Sequence, residues 1–455
     1  MSIVMKFGGT SVADAAAFEN VARIVASERE SAPVVVVSAM SGVTDALLAA
    51  TNIASLQEVF ERHRTVAREL LDDSEVFADR LSSAEQQIAE LLPVKRKSLQ
   101  DAVVSFGEDL SSALLAALLS QRGIEARQVD ARRCVITDDD YTSATPLMTE
   151  TFARSKSELL PIIDSGVVPV LGGFIGASTS GATTTLGRGG SDYTAALLGA
   201  ALGASEIQIW TDVTGVLTAD PRVVPEAQTI ERLSYSEAAE LAYFGAKVLH
   251  PKTIQPAIES SIPVRICNSR APQEAGTLVG PQSETSPRTV KAIAHKIGVT
   301  TLQITSLRML GAYGFLRALF EVFDRHRTVV DVVTTSEVSV SLSLDDASAL
   351  PAIVEELERL GTVRVEKRRA IICVVGEGLR GTPGIAARVF STISDINVTL
   401  ISQGASSINF TFAIEEERVR EAVTRLHEEF FAAKGTEVFN HKKAQKAQNR
   451  RNESV

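Results

Sequence analysis

The stretch TTTLGRGGSDYTAA, residues 183–196, decides how the chain is read. A threonine run and one arginine meet two adjacent glycines and a Ser-Asp pair just ahead of an apolar helix. Gly189 and Gly190 let backbone come close to a ligand, and the helix that follows offers unpaired N–H groups to an anion. Arg188 adds a planar fork that fits a carboxylate or a phosphate. Alone, the stretch leaves a plain strand-to-helix turn as the lesser reading, so its neighbours have to agree.

Residues 3–7 are a short apolar run that meets Gly8-Gly9-Thr10-Ser11, after which Val12, Phe18, Val21, Ile24 and Val25 are spaced for one buried helix face. This is strand, glycine turn, helix, with the Lys6 charge beside a turn suited to phosphate. Residues 34–38 form a valine strand of the buried parallel kind, followed by the small hydroxyl residues Ser38, Ser41 and Thr44, where open α/β sheets bind ligands. Residues 45–119 turn helical. Within them SFGEDL, residues 105–110, opens an apolar helix over 114–119 and places Glu108 near a helix start, as a favourable charge at the positive dipole end.

Residues 126–130 and 167–174 read as further buried strands, the second running into Gly172-Gly173-Phe174-Ile175-Gly176. IQIWTDV, residues 207–213, is another; the glycine turn and Asp220-Pro221-Arg222 after it suit a nucleotide rim or a simple turn. Lys247 follows a glycine in FGAKVLHP, residues 244–251, where His250 before proline reads as structural. Strands alternating with helices over this length predict a doubly wound, largely parallel sheet.

Beyond the Gly-, Pro- and Ser-rich residues 276–288, read as a linker, two segments repeat. Gly314-Phe315 and its helix correspond to Gly384-Ile385 and its helix; the alternating Val338, Val340, Leu342 and Leu344 correspond to Ile408, Phe410, Phe412 and Ile414. Each repeat reads as strand, helix, two strands, helix, strand, the split ferredoxin-like pattern. The expected divisions are an α/β domain over 1–285, repeats over 298–370 and 371–435, and a basic, disordered tail over 440–455.

Composition narrows the class of protein. Hydrophobic residues at 45% and charged residues at 22% describe an ordinary globular chain, and a net charge of -10 disfavours nucleic acid or a membrane surface as main partner. No uninterrupted apolar run reaches membrane-span length and the first residues lack a signal-peptide pattern, so a cytoplasmic location is expected. Cys134, Cys267 and Cys373 are far apart and form neither a disulfide framework nor a metal-ligand spacing.

Taken together, Lys6 to Ser11, residues 183–192, Trp210-Thr211-Asp212, Thr218 to Arg222 and Phe244 to His250 closely resemble aspartate kinase, nearly end to end, with the paired repeats resembling ACT domains. The resemblance implies a three-layer αβα amino-acid-kinase domain followed by two ferredoxin-like ACT domains. It implies transfer of the ATP γ-phosphoryl group, with Mg2+, to the side-chain carboxylate of L-aspartate. That is the first step towards lysine (through diaminopimelate), threonine and methionine. Lys6, Asp192 and Lys247 would be catalytic. Thr44, Glu108, Phe174, Arg188 and Ser191 would bind aspartate, Arg188 at its α-carboxylate and Glu108 at its ammonium. Gly8, Gly9, Ser38, Thr211, Asp212, Leu217, Asp220 and Arg222, with both lysines, would line the nucleotide site; Leu217 stands where many relatives carry an aromatic. Met309, Gly314, Phe315, Leu316, Asp331, Thr335, Ser336, Glu337 and Ser406 match an effector site. Lysine is the expected effector and threonine the second, because Gly311, Ala312 and Ile408 depart from the clearest lysine-sensitive pattern. A homodimer or larger assembly through the ACT repeats is implied as well. The readings set against it are another amino-acid kinase of the same fold and a non-catalytic amino-acid sensor.

Overall fold

The computed structural model describes residues 2–92, 96–245, 249, 251–281, 289–311, 313–404 and 406–432. Lys247, His250 and the basic tail lie outside the described residues. The chain divides into two compact units. The first comprises Met1–Leu217, Gln228–Lys291 and Val375–Glu377; the second comprises Thr218–Ala227, Ala292–Val374 and the chain from Gly378.

The first unit begins with β1 (Ile3–Phe7), α1 (Ala15–Ser27), β2 (Pro33–Val37), α2 (Val43–Ala49), α3 (Gln57–Leu70), α4 (Glu75–Leu91) and α5 (Lys97–Gln121). It continues through β3 (Ala126–Val129), β4 (Ile136–Thr137), α6 (Met148–Asp164), β5 (Val168–Gly172), β6 (Ile175–Ser178), β7 (Thr183–Thr185) and α7 (Gly190–Leu202). It closes with β8 (Glu206–Thr211), β9 (Arg232–Ser234), α8 (Tyr235–Tyr243), α9 (Gln255–Glu259), β10 (Val264–Asn268) and β11 (Thr277–Gly280). Eight described strands form one sheet in the order β3-β5-β2-β1-β8-β10-β11-β9. Pairing is parallel from β3 to β10 and antiparallel only between β10 and β11. Residues 277–280, expected in a linker, are therefore a strand, held by the register Val264↔Val279.

Local sequence accounts for the elements. Val34 to Val37 are fully buried, as a continuous β-branched run between helical layers should be. In α1 the Asp14 carboxylate caps the first turn by accepting from Ala17 N at 2.8 Å, and Phe18, Val21, Ala22, Ile24 and Val25 make the buried face. Phe18→Ala leaves a cavity in that core and is expected to cost about 3–5 kcal/mol, read as earlier unfolding in urea. α5 is 25 residues long and apolar enough for a bilayer by length and composition, but 72% of its most apolar window is buried inside the protein. It is a core helix, and Glu108 lies in its middle. The expectation of Glu108 at a helix start, with its dipole argument, is thereby corrected.

The second unit contains β12 (Ala292–Thr305), α10 (Phe315–Arg325), β13 (Val333–Thr335), β14 (Ser339–Leu344), α11 (Leu350–Leu357) and β15 (Thr362–Val375). It ends with α12 (Ile385–Thr392), β16 (Leu400–Gln403), β17 (Asn409–Glu415) and α13 (Val419–Phe431). Six strands pair in the order β13-β14-β12-β15-β17-β16. Alternation holds: Val340, Leu342 and Leu344 are fully buried against Leu319, Phe323, Ile353 and Leu357. The expected boundaries at 298 and 370 fall inside the unbroken strands β12 and β15. The back half of β12 pairs with β14 from Thr300↔Leu344 to Thr305↔Ser339. Its front belongs to the second repeat, where Gly298 N donates to Glu416 Oε2 at 2.9 Å. The closing strand of the second repeat thus precedes the first repeat in the chain.

Candidate active site

The carboxyl ends of β1, β2 and β5 and the turn into α7 surround a cavity of about 620 Å³ in the first unit. Strand order reverses beside β1, with β2 on one side and β8 on the other, and such a switch point opens a crevice above an α/β sheet. Lys6, Gly9, Ser38, Thr44, Glu108, Phe174, Arg188, Ser191 and Asp192 all line it, gathered from five separate stretches.

Each is placed by its element. Lys6 projects from β1 and its Nζ lies 2.7 Å from Asp192 Oδ1 in the first turn of α7. Ser38 Oγ donates to Ser191 Oγ at 3.0 Å, joining the end of β2 to the same turn. Gly189 has φ 74°, and a Cβ there would sit 2.8 Å from Thr253 Cγ2, so glycine is required. A Cβ on Gly173 would stand 2.6 Å from Ser191 Cβ, which explains how β5 and α7 approach so closely. Phe174 itself adopts φ 68°, a strained conformation for an aromatic. Its N–H donates to Thr194 Oγ1 at 3.0 Å, and its carbonyl accepts from Leu186 N at 3.0 Å.

Glu108 is 3% exposed, and its Oε2 has no hydrogen-bond partner in the protein. Burial pushes its carboxyl up to about 8, against the opposing pull of the Ala39 backbone N–H and, more weakly, the Thr44 hydroxyl. Arg188 is exposed at the rim. A buried carboxylate and a guanidinium on one cavity are complementary to a molecule carrying both an ammonium and a carboxylate.

Asp101, not anticipated, also lines the cavity. It lies seven residues before Glu108 on α5, hence on the same helix face. Its Oδ2 accepts from Thr142 N (2.9 Å) and Thr185 N (3.0 Å), and its Oδ1 accepts from Thr185 Oγ1 (3.0 Å). A second acidic residue at helical spacing in an apolar segment was the available signal.

The other expected nucleotide residues among those described are not in this lining. Gly8 N donates to the Trp210 carbonyl at 3.1 Å, and Thr211 and Asp212 follow at the end of β8. Leu217 bridges Thr229. Asp220 and Arg222 belong to the second unit, where Arg222 Nη2 lies 2.6 Å from Asp220 Oδ2 and holds that carboxyl below its ordinary range.

The expected effector residues fall at the start of α10, in the turn before it, just ahead of and on β13, and in the turns beyond β13 and β16. Gly314, φ 80°, starts α10 ahead of Phe315 and Leu316, while Met309 lies in a helical turn upstream. Asp331 N donates to the Ser343 carbonyl at 3.0 Å. Thr335 ends β13, and Ser336 and Glu337 form the turn into β14, where Ser336 N donates to Ser339 O at 2.8 Å. Ser406 Oγ accepts from Ile408 N at 3.2 Å. A polar hollow of about 310 Å³ in this unit is lined by other residues, among them Thr301, Gln303, Arg364 and Asn397.

Residues 1–268 match the amino acid kinase family, and residues 372–430 match an ACT domain. The fold and site therefore define an amino acid kinase domain joined to a unit that includes an ACT domain. Aspartokinase 3, chloroplastic, from Arabidopsis thaliana is 42% identical over 458 residues, covering 95% of this chain and 82% of that protein. The crystal structure of Escherichia coli aspartokinase III in complex with aspartate and ADP, in the R-state, matches with a TM-score of 0.81 at 38% identity, covering 95% of this chain and 100% of that one. The T-state of the same E. coli protein, in complex with lysine and aspartate, matches with a TM-score of 0.79 at 38% identity, covering 94% and 99%. This chain belongs to the aspartokinases of the amino acid kinase family.

Proposed function

We propose that the cavity passes the γ-phosphoryl group of ATP to the side-chain carboxylate of L-aspartate, giving 4-phospho-L-aspartate, and that an amino acid acting at the ACT repeats restrains it. The observation that carries this reading is that the buried Glu108, whose Oε2 has no hydrogen-bond partner in the protein, lines one cavity together with Arg188 and Lys6. Glu108 takes the ammonium of aspartate, Arg188 its α-carboxylate, and Thr44, Phe174 and Ser191 orient the rest. The attacking carboxylate is already ionised at neutral pH, so no general base is needed. Catalysis then consists of alignment and charge neutralisation: Lys6 meets the phosphoryl group in transfer, and the Gly8-Gly9 turn, Ser38 and the start of α7 cradle the phosphates.

Mg2+ suits this donor set when it arrives on the nucleotide. No cluster of three or more His, Cys, Asp or Glu capable of a cage occurs among the described residues, whereas Asp192 offers a single carboxylate beside the phosphate turn. Bound there, the ion would neutralise phosphate charge. Thr211, Asp212, Leu217, Asp220, Arg222 and Lys247 are assigned to the nucleotide by resemblance.

Lysine is the favoured effector, supported by the E. coli relative whose T-state holds it. Glu337→Ala is expected to weaken lysine inhibition several-fold while changing uninhibited turnover little; equal effects on both would end the separate-site reading. Exposed Leu307, Leu310 and Tyr313 beside the effector loop support a second copy of the chain covering that face. The deciding experiment traps acyl phosphate with hydroxylamine in the presence of ATP, Mg2+ and L-aspartate, with glutamate as control and with lysine or threonine added. Aspartate-dependent hydroxamate supports the reading; ATP binding without hydroxamate favours a sensor, and glutamate-dependent product favours a different kinase.

A further inference from the structure

Two loops must keep a fixed spacing for the proposed reaction: the glycine turn over residues 8–13 and the loop over residues 38–44. Ser41 N donates to the Gly9 carbonyl at 3.2 Å, and a Cβ on Gly9 would come within 2.8 Å of the Ala39 carbonyl. The loops touch directly. Behind both stands Arg62 of α3, which does not line the cavity. Its Nη1 donates to the Ser41 carbonyl at 2.7 Å and its Nη2 to the Ala13 carbonyl at 2.6 Å. Ala13 ends the glycine turn, immediately ahead of the α1 cap; Ser41 precedes Gly42, whose φ of 80° starts α2 and sets the direction of Thr44.

We infer that Arg62 is a positioning residue for phosphoryl transfer, fixing the glycine turn against the 38–44 loop so that the phosphoryl donor and the carboxylate acceptor stand in line. This rests on the kinase reading above. Charge-assisted bonds to neutral carbonyls are stronger than neutral ones, and a planar guanidinium holds its two acceptors at a set separation, which a flexible point charge does not. The nearest alternatives in the molecule carry less. The hollow lined by Arg80, Phe106, Asp109 and Arg132 contains a saturated arginine, with Arg132 bonded to Asp109, Asp130, Ser105 and Thr183. Asp101 holds only one of the two sides of the site.

The test compares wild-type, Arg62→Ala and Arg62→Lys full-length chains by hydroxamate formation, with dissociation constants for ADP and for L-aspartate measured singly by calorimetry. A small misalignment lowers turnover without removing either binding contact, so kcat should fall about tenfold or more in Arg62→Ala while each dissociation constant stays within about threefold. Arg62→Lys should fall between, since an ammonium reaches the carbonyls without fixing their separation. Turnover within about twofold of wild type in both variants overturns the inference. So does a loss of affinity for both ligands as large as the loss of turnover, which would make Arg62 a structural strut. If Arg62→Ala does not fold by circular dichroism, Arg62→Lys is judged by the same criteria. An active wild type with unaffected variants removes this inference alone, whereas a wild type that makes no aspartyl hydroxamate removes the kinase reading with it.

Discussion

Lys6→Ala lowers the rate of aspartyl hydroxamate formation by on the order of 10²–10³-fold, the loss that follows removal of one preorganised group aimed at developing charge. The side chains of Lys6 and Asp192 are only 12% and 18% exposed, so little water is present to replace the ammonium. Removing it also leaves the Asp192 carboxylate facing the phosphates without its partner at 2.7 Å, adding repulsion to lost attraction. Without Mg2+, Lys6→Ala/Asp192→Asn should therefore bind free ATP better than Lys6→Ala does. The strand survives either change, because Lys6 pairs through its backbone with Val36 on one side and Ile209 on the other. Circular dichroism should be unchanged. A variant turning over within about twofold of wild type would take Lys6 out of the transfer step.

Glu108→Gln should weaken kcat/KM for aspartate by about 10- to 100-fold, the value of one hydrogen bond to a charged group, and should flatten its pH dependence. In the free protein burial raises the Glu108 carboxyl to about 8, so near neutrality it is mostly protonated. Binding the substrate ammonium requires the ionised form, and aspartate binding therefore releases a proton. The wild-type KM for aspartate should fall as pH rises towards 8 and then level off, while that of Glu108→Gln stays flat and high. Stability moves the opposite way. A carboxyl raised from about 4.5 in the unfolded chain to about 8 binds more protons folded than unfolded, so its burial costs nothing below the lower value. The cost grows as pH rises through the window and is complete above the upper value. In ligand-free protein Glu108→Gln should thus gain thermal stability over wild type at pH 8 and match it at pH 4.5 or below. A wild-type KM flat with pH would place the aspartate ammonium elsewhere.

Much of this architecture is legible along the chain because it rests on local patterns. Gly8-Gly9 after a short apolar strand, the valine run 34–37, and Gly189-Gly190 before an apolar helix specify strand, turn and helix through backbone freedom and burial period. The alternation of Val340, Leu342 and Leu344, repeated in Phe410, Phe412 and Ile414, shows the paired small domains for the same reason. What could not be read there depends on which residues distant in sequence become neighbours. Glu108 looked like a helix-start charge because its chain neighbours are glycine, aspartate and phenylalanine. Only the packing of α5 behind β5, where a Cβ on Gly172 would meet the Glu108 backbone at 3.0 Å, makes it a buried carboxylate whose Oε2 is left without a hydrogen-bond partner. The unbroken β12 and β15 hid the division of the repeats, because each strand runs through both repeats of one six-stranded sheet, and Gly298 and Arg368 take positive φ within them without ending them. Arg62 reads as one more solvated charge on an amphipathic helix until the carbonyls of Ala13 and Ser41 are brought to it. By itself the sequence determined the elements, their order and the glycine turns at which anions can be held. The tertiary structure decided which carboxylates lose water, which backbone carbonyls share a guanidinium and which strand completes each sheet, because desolvation and long-range pairing belong to the folded chain and not to any window of it.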